Sequence, residues 1–551
     1  MKEPVTLTFL GGLGRIGRNC AALEAEDRIV LLDCGQMFPE GLPGVDAVLP
    51  DFSWILERSD KVEGCIVTHA HEDHIGGLPH LLKEINIPIY GSKFTLGMLQ
   101  AKLDYAGIRG TETIELNDHD LRQIGPFQCE FLPVTHSTPS GLMTVFDTPQ
   151  GAIVHSSDFK LDPTPVDGRV TDLIRLKEIS EDRGIRLLLA DSTNAGSSGK
   201  TASESEIGPV LEEIFTNHQN QRITIAAFSS HIHRIQQIAD TAKKANRNLV
   251  ILGPSMQRNV TLARELGLLK ISDRMIASPE DIKSLEPEET CIICTGSQGE
   301  PRAALALLAR NEHRHFDIGE DDTVIFSSHP IPGNEAAVSK LQNNLALLGA
   351  RLVHSGQVQV HTSGHGKQAE LMELHETIDP ELFIPVHGEY THLIDHYELA
   401  VNRGMDEDKI ALCTDGDQIL LTGHGLEKVE RVSGKEIMID EQGSPVSEEL
   451  LQERQNLSGE GFVLIRVIID KETGILLEEP LVESRGWVDP SQREEWTNEV
   501  SQAVTNAVEG LLAEGERDLN QISRQTRRAT GQLVSERTGR RPTLIPIVEM
   551  R

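Results

Sequence analysis

A chain of 551 residues exceeds the roughly 250–300 at which a single core stops growing, so two or three domains are expected. Hydrophobic residues make up 38%, enough for real cores, which excludes a disordered chain. Aromatics at 4% and a net charge of −33, from 52 basic and 85 acidic residues, exclude a coat protein that binds nucleic acid by stacking or by an overall basic surface, but not an enzyme that grips phosphates locally. The start, Met-Lys-Glu-Pro-Val-Thr, lacks a basic segment followed by a long apolar one, so no signal peptide is expected. No apolar run is long enough to span a membrane, and seven scattered cysteines suit a reducing compartment, so the expected location is the cytoplasm.

Residues 1–201 read as short apolar strands, each ending in polar or glycine-bearing residues. Gly12, Gly14 and Gly17 match a dinucleotide-binding spacing, but glycines in a tight turn between strands explain them equally well. The informative stretch is Thr68-His69-Ala70-His71-Glu72-Asp73-His74, between an apolar strand and a helical segment. On extended chain, residues two apart point the same way, so His69 and His71 can share one ion. Asp73 and His74 fall as the chain turns into the helix and can aim at a second. Imidazole and carboxylate suit zinc, and manganese accepts them too. Two ions need more ligands from other strand ends, and His136, Asp158 and His387 each come after an apolar run.

Residues 202–355 alternate helical and strand patterns, which predicts an inserted α/β domain with a parallel sheet. Cys291 and Cys294 fall inside one of its strands on opposite faces, which favours packing over metal binding. Residues 356–430 return to short strands with histidine-rich ends, so the first domain resumes there. Residues 431–458 are polar and read as a linker. A last unit, 459–551, opens with the strand Phe-Val-Leu-Ile-Arg-Val-Ile-Ile-Asp, followed by a helix around Trp496 to Leu512. Its tail holds Arg524, Arg527, Arg528, Arg537, Arg540 and Arg541, either a solvated face or a local phosphate site.

The pattern H-x-H-x-D-H followed by a later His, Asp and His is similar to the ligand set of the metallo-β-lactamase superfamily. The insertion, His361-Thr362-Ser363-Gly364-His365, and Pro385-Val386-His387-Gly388-Glu389 resemble its β-CASP branch. Gly-Gly-Leu-Gly-Arg-Ile-Gly-Arg-Asn near the start, Asp-Ser-Thr-Asn-Ala, His-Arg-Ile-Gln-Gln-Ile, Thr-Gly-Ser-Gln-Gly-Glu-Pro, Ile-Pro-Gly-Asn-Glu and Arg-Thr-Gly-Arg-Arg-Pro near the end resemble the ribonuclease J family across essentially the whole chain.

The resemblance implies an α/β fold: a metallo-β-lactamase αββα sandwich with an inserted β-CASP α/β domain and a small C-terminal α/β domain. It implies that His69, His71 and His136 hold one ion and Asp73, His74 and His387 the other, with Asp158 bridging and Asp33 supporting. Two Zn(2+) are expected, with Mn(2+) or Mg(2+) as alternatives. By resemblance, His365 acts beside the scissile phosphate with Asp73 and Asp158 as the catalytic carboxylates. Ser230, His231, Ile232, His361, Thr362, Ser363, Gly364 and His365 would bind substrate. Gly44, Asp46 and Asp440 would hold an additional structural divalent ion. The implied activity is 5′-3′ exonuclease and endonuclease hydrolysis of RNA by a metal-activated hydroxide, in RNA maturation and decay. The implied partners are RNA, a homodimer or homotetramer, and an RNA-decay complex, with no membrane. Two rival readings are a small-molecule hydrolase of the same fold, which would need neither the insertion nor His361–His365, and a non-catalytic subunit, which would have lost ligands.

Overall fold

The computed structural model describes residues 2–39, 41–331 and 333–551; Met1, Glu40 and Pro332, the last in the Ile-Pro-Gly-Asn-Glu run, lie outside them. The chain divides into two units, one of residues 1–38 with 48–437 and one of residues 39–47 with 438–551.

In the first unit two sheets stack face to face. The eight-stranded sheet includes Val5–Gly11, Cys20–Ala25, Arg28–Leu32 and Val62–Ile66, and the six-stranded sheet includes Phe127–Pro133, Leu142–Thr148, Gly151–His155, Ile185–Asp191 and Leu382–Val386. Leu7, Phe9, Leu23 and Leu32 from one sheet meet Phe127, Phe131, Phe146, Leu187 and Ile384 from the other. Phe131 is fully buried between them, and its truncation to alanine would cost about 3–5 kcal/mol. Helices cover both outer faces: Leu78–Glu84 and Lys93–Tyr105 on one side, Leu173–Arg183 and Gln368–Ile378 on the other. This is a four-layer αββα sandwich, and coverage on both faces explains why its central strands are almost continuously apolar.

Between Asp191 and Leu382 the chain builds a six-stranded parallel sheet from Arg222–Ala226, Asn248–Leu252, Ile276–Ala277, Thr290–Cys294, Asp322–Phe326 and Arg351–His354. Helices Ile207–Asn217 and Ile232–Lys244 pack on one face, Ala304–Leu308 and Glu335–Leu347 on the other. Cys291 enters the first of these cores and Cys294 the second, as the two-residue period of a strand requires.

The second unit places the helices Arg493–Ala513 and Leu519–Thr538 against the three-stranded sheet Leu481–Arg485, Phe462–Ile469 and Thr543–Met550. Two segments hold elements that were illegible in the sequence. Residues 431–458, read as a linker, carry the strand Glu436–Ile439 and most of the helix Glu448–Glu460. That helix is capped by the Ser447 hydroxyl accepting from the Leu450 amide at 3.1 Å, and it buries none of its residues, so it shows no apolar stripe. The returning segment holds two helices, Gln368–Ile378 and Tyr390–Arg403, besides its strands.

Candidate metal centre

Strands Gly151–His155, Ile185–Asp191 and Leu382–Val386 run parallel side by side, so the residues at and just beyond their C-terminal ends collect at one rim. Asp158, Asp191 and His387 arrive this way. His136 comes after Phe127–Pro133 in the same sheet, and His69 to His74 come after Val62–Ile66 in the facing sheet. Asp33, Ser157 and His387 adopt left-handed backbone, with φ of 58, 59 and 54°. The chain therefore turns sharply at the strand ends, at a cost of about 1–2 kcal/mol per residue.

The seven donors form two sets sharing one oxygen. In the first, His71 Nδ1 lies 3.0 Å from His69 Nε2 and 3.1 Å from His136 Nε2, and Asp158 Oδ2 is 3.6 and 3.8 Å from those last two. In the second, His387 Nε2 is 3.2 Å from Asp73 Oδ2 and 3.5 Å from Asp158 Oδ2, while His74 Nε2 lies 3.5 and 3.3 Å from the same two carboxylates. Ligands at zinc's bond length around a tetrahedron are about 3.3 Å apart, so both sets fit one divalent ion each with Asp158 between them. A third set, Asp158, Asp191, His365 and His387, also converges.

Neighbours fix which nitrogen faces the centre. Asp33, itself buried, accepts from the Thr68 amide at 2.8 Å, the Thr68 hydroxyl at 2.9 Å and His74 Nδ1 at 2.8 Å. His136 Nδ1 donates to the Gly364 carbonyl at 2.8 Å. His387 Nδ1 donates to the Thr193 hydroxyl at 2.7 Å, which donates to Asp191 at 2.8 Å. These bonds leave Nε2 of His74, His136 and His387 as the lone-pair donors. Two glycines permit the approach: a Cβ at Gly35 would lie 1.7 Å from the Asp73 carbonyl, and one at Gly364 2.7 Å from the His136 ring.

The electrostatics point to cations. Burial pushes His69 and His136 well below the ordinary histidine range and His71 down to about 4, keeping them neutral as ligands must be. At His74 and His387 burial works the same way but loses to the carboxylates, Asp158 foremost, and both are raised well above it. The carboxylate charge in the cage thus exceeds what the neutral imidazoles balance. Divalent ions would displace those two protons.

His365 stands beside this cage, its ring 5.0 Å from that of His136 and 5.5 Å from that of His387. Its Nδ1 donates to Asp191 at 2.7 Å, which leaves Nε2 free. Burial opposes charge on His365, yet Asp191 raises its pKa. Its loop is tied down by Asn194, which donates to the Ser363 hydroxyl and the His365 carbonyl at 2.9 Å each, and by Thr201, 2.7 Å from that carbonyl. The Thr362 hydroxyl is spent on the Ala202 carbonyl at 2.9 Å. His231 and His361 come together at 6.2 Å between rings, next to partly exposed Ser230. Ile232 follows Ser230 and His231, its side chain wholly buried in a core and its amide donating to the Ser230 carbonyl at 2.9 Å. Of the residues read as a third-ion set, the Gly44 carbonyl accepts from Arg454 at 2.8 Å, and Asp440 Oδ1 accepts from the Gln442 and Ser444 amides at 3.0 and 2.9 Å.

Sequence reasoning assigned no role to three contributors. Asp191 ends an apolar strand as Asp158 nearly does, and with Asn194 it lies in the Asp-Ser-Thr-Asn-Ala run, the signal that could have found both. Asn19, which closes the glycine-rich run near the start, donates to the Asp73 carbonyl and carboxylate at 3.1 and 3.2 Å.

The chain is similar to known proteins along most of its length. Residues 220–345 match the family model for the Ribonuclease J β-CASP domain, 449–550 the Ribonuclease J C-terminal domain, 28–176 a beta-lactamase superfamily domain, and 353–410 a Zn-dependent metallo-hydrolase RNA specificity domain. The chain is 38% identical over 542 residues to Ribonuclease J of Corynebacterium glutamicum, covering 98% of this chain and 75% of that one. It is 36% identical over 542 residues to Ribonuclease J 1 of Streptococcus pyogenes, covering 98% and 96%. It is 37% identical over 559 residues to Ribonuclease J of Thermus thermophilus, covering 99% and 95%. A crystal structure of a protein of unknown function from Enterococcus faecalis superposes with a TM-score of 0.54 at 16% identity, over 76% of this chain and all of that one, a likeness of fold alone.

Proposed function

The chain belongs to the ribonuclease J family, and on that premise we propose how its cage serves a metal-dependent ribonuclease. RNA is the substrate and hydrolysis the reaction. In this reading His69, His71 and His136 would hold one divalent ion and Asp73, His74 and His387 a second, with Asp158 common to both sets. The ions are zinc, with manganese or magnesium as substitutes. Bound there, divalent ions supply Lewis acidity and make a water nucleophilic near neutral pH.

The chain's own residues do the rest. Asp33, Thr193 and the Gly364 carbonyl hold the imidazoles in the ligating tautomer. His365, fixed through Nδ1 by Asp191, presents Nε2 to protonate the departing 3′ oxygen. Ser363 and Gly364, on the loop tied by Asn194, face the phosphate, with Ser230, His231 and His361 behind them. We read the activity as 5′-3′ exonucleolytic with endonucleolytic cuts, acting in the cytoplasm on maturing and decaying RNA, by a homodimer or homotetramer that can join a decay complex. All seven donors are present and converge, which argues against a non-catalytic subunit.

The observation that carries this reading is the convergence of donors from separate strand ends on a single shared carboxylate oxygen. Metal analysis of the pure protein with product mapping on 5′-labelled RNA tests it. The expectation is two ions per chain and mononucleotide products from 5′-monophosphorylated RNA. Faster degradation of 5′-triphosphorylated RNA would overturn the end preference, and fewer than two ions at full activity the two-ion cage.

A further inference from the structure

We propose that the exposed face of the helix Leu519–Thr538, carried by Arg524, Arg527 and Arg528, is a second RNA-binding surface that contacts the RNA backbone, additional to the metal centre. This rests on RNA being the substrate. The helix buries Ile522, Thr526, Thr530 and Val534 and turns the three arginines to solvent. At i, i+3 and i+4 they crowd one turn, a spacing at which like charges destabilise a helix. No carboxylate occurs from Leu519 to Ser535, in a chain with 85 acidic residues.

Their neighbours are engaged. Arg517 donates to the Leu512 carbonyl at 3.0 Å, Arg537 pairs with Glu499 at 3.1 Å and lies over Trp496, and Arg540 donates to the Trp487 carbonyl. Among the described residues, the side chains of Arg524, Arg527 and Arg528 take part in no ion pair or hydrogen bond. Three unneutralised guanidiniums thus stand side by side on a chain whose net charge of −33 repels a polyanion. Arginine forks match phosphate oxygens, and the helix contains no aromatic residue to stack on a base. The surface therefore fits sequence-independent contacts to the phosphates of an RNA strand. An acidic protein segment is the other class of partner that such charge would attract.

The test compares the full-length protein with the triple variants R524Q/R527Q/R528Q and R524K/R527K/R528K. Glutamine matches arginine in helix propensity, and all three sites are exposed, so the fold should survive; circular dichroism checks this. Binding of a cleavage-resistant single-stranded RNA of about 30 nucleotides is followed by fluorescence anisotropy from roughly 0.05 to 0.3 M salt. The glutamine variant should bind roughly tenfold more weakly at low salt. Its log–log salt slope should be shallower by about 2, and the lysine variant should restore the slope. An unchanged slope in the glutamine variant overturns the surface, and with it leaves the acidic-protein reading. Cleavage of a short RNA by the wild type is measured in parallel. Its absence would sink the ribonuclease reading, while the binding data still decide the surface.

Discussion

Replacing Asp33 by asparagine isolates what a supporting carboxylate does for the cage. Asparagine tolerates left-handed backbone as aspartate does, so the φ of 58° adds little strain, and it keeps an oxygen for the Thr68 amide now donating at 2.8 Å. The change falls on the side facing His74 Nδ1, 2.8 Å away, where an NH2 replaces a carboxylate oxygen. A donor there forces the imidazole proton onto Nε2, the nitrogen that faces Asp73 and Asp158. Losses of this kind reduce metal affinity about 10–100-fold, or about 1.4–2.8 kcal/mol. The assay is competition with a metallochromic chelator, comparing release of the first and second ion from wild type and Asp33→Asn. One ion should leave 10–100-fold more readily, and RNA cleavage should fall at limiting metal and recover in excess. Equal retention of both ions would refute the tautomer argument.

His365→Ala should lower RNA turnover about 10²–10⁴-fold while both ions stay bound, checked by single-turnover kinetics beside metal analysis; a loss of metal instead would place His365 among the ligands. Burial opposes ionisation of Glu204, but Arg234 and His231 hold its pKa well below the usual carboxylate range. Its stabilising contribution is therefore complete above the unfolded value near 4.3 and declines as pH falls below it. Urea unfolding should show Glu204→Gln about 3–5 kcal/mol less stable at pH 7, with a shallower acid dependence than wild type; parallel pH curves would contradict this. The seven cysteines are buried, and burial raises the thiols of Cys291 and Cys413 to about 12, so a thiol reagent should modify none in the native protein and seven in denaturant.

Residues whose role is written into their neighbours were legible in the sequence. His69, His71, Asp73 and His74 are spaced by the local geometry of a strand turning into a helix. His136, Asp158 and His387 each close an apolar run, so a sheet brings them to one rim. Asp191 has the same placement, but a carboxylate that only supports histidines leaves no spacing of its own. Asn19 was hidden for a different reason: its partner, the Asp73 turn, lies far along the chain and becomes adjacent only when the strands of their common sheet assemble. Ile232 shows the reverse case: a resemblance assigns a whole tripeptide to a pocket, while packing sends its apolar side chain inward. The helix Glu448–Glu460 escaped because periodicity reports burial, and this helix has none to report.

The strand Leu382–Val386 is the edge of its sheet and the last of its strands to leave the ribosome, after the whole inserted domain. A nascent chain can already hold His69, His71, His136 and Asp158, yet the other half of the cage waits for the residue just past this edge strand. The second set of donors therefore stays incomplete until translation has passed the inserted domain.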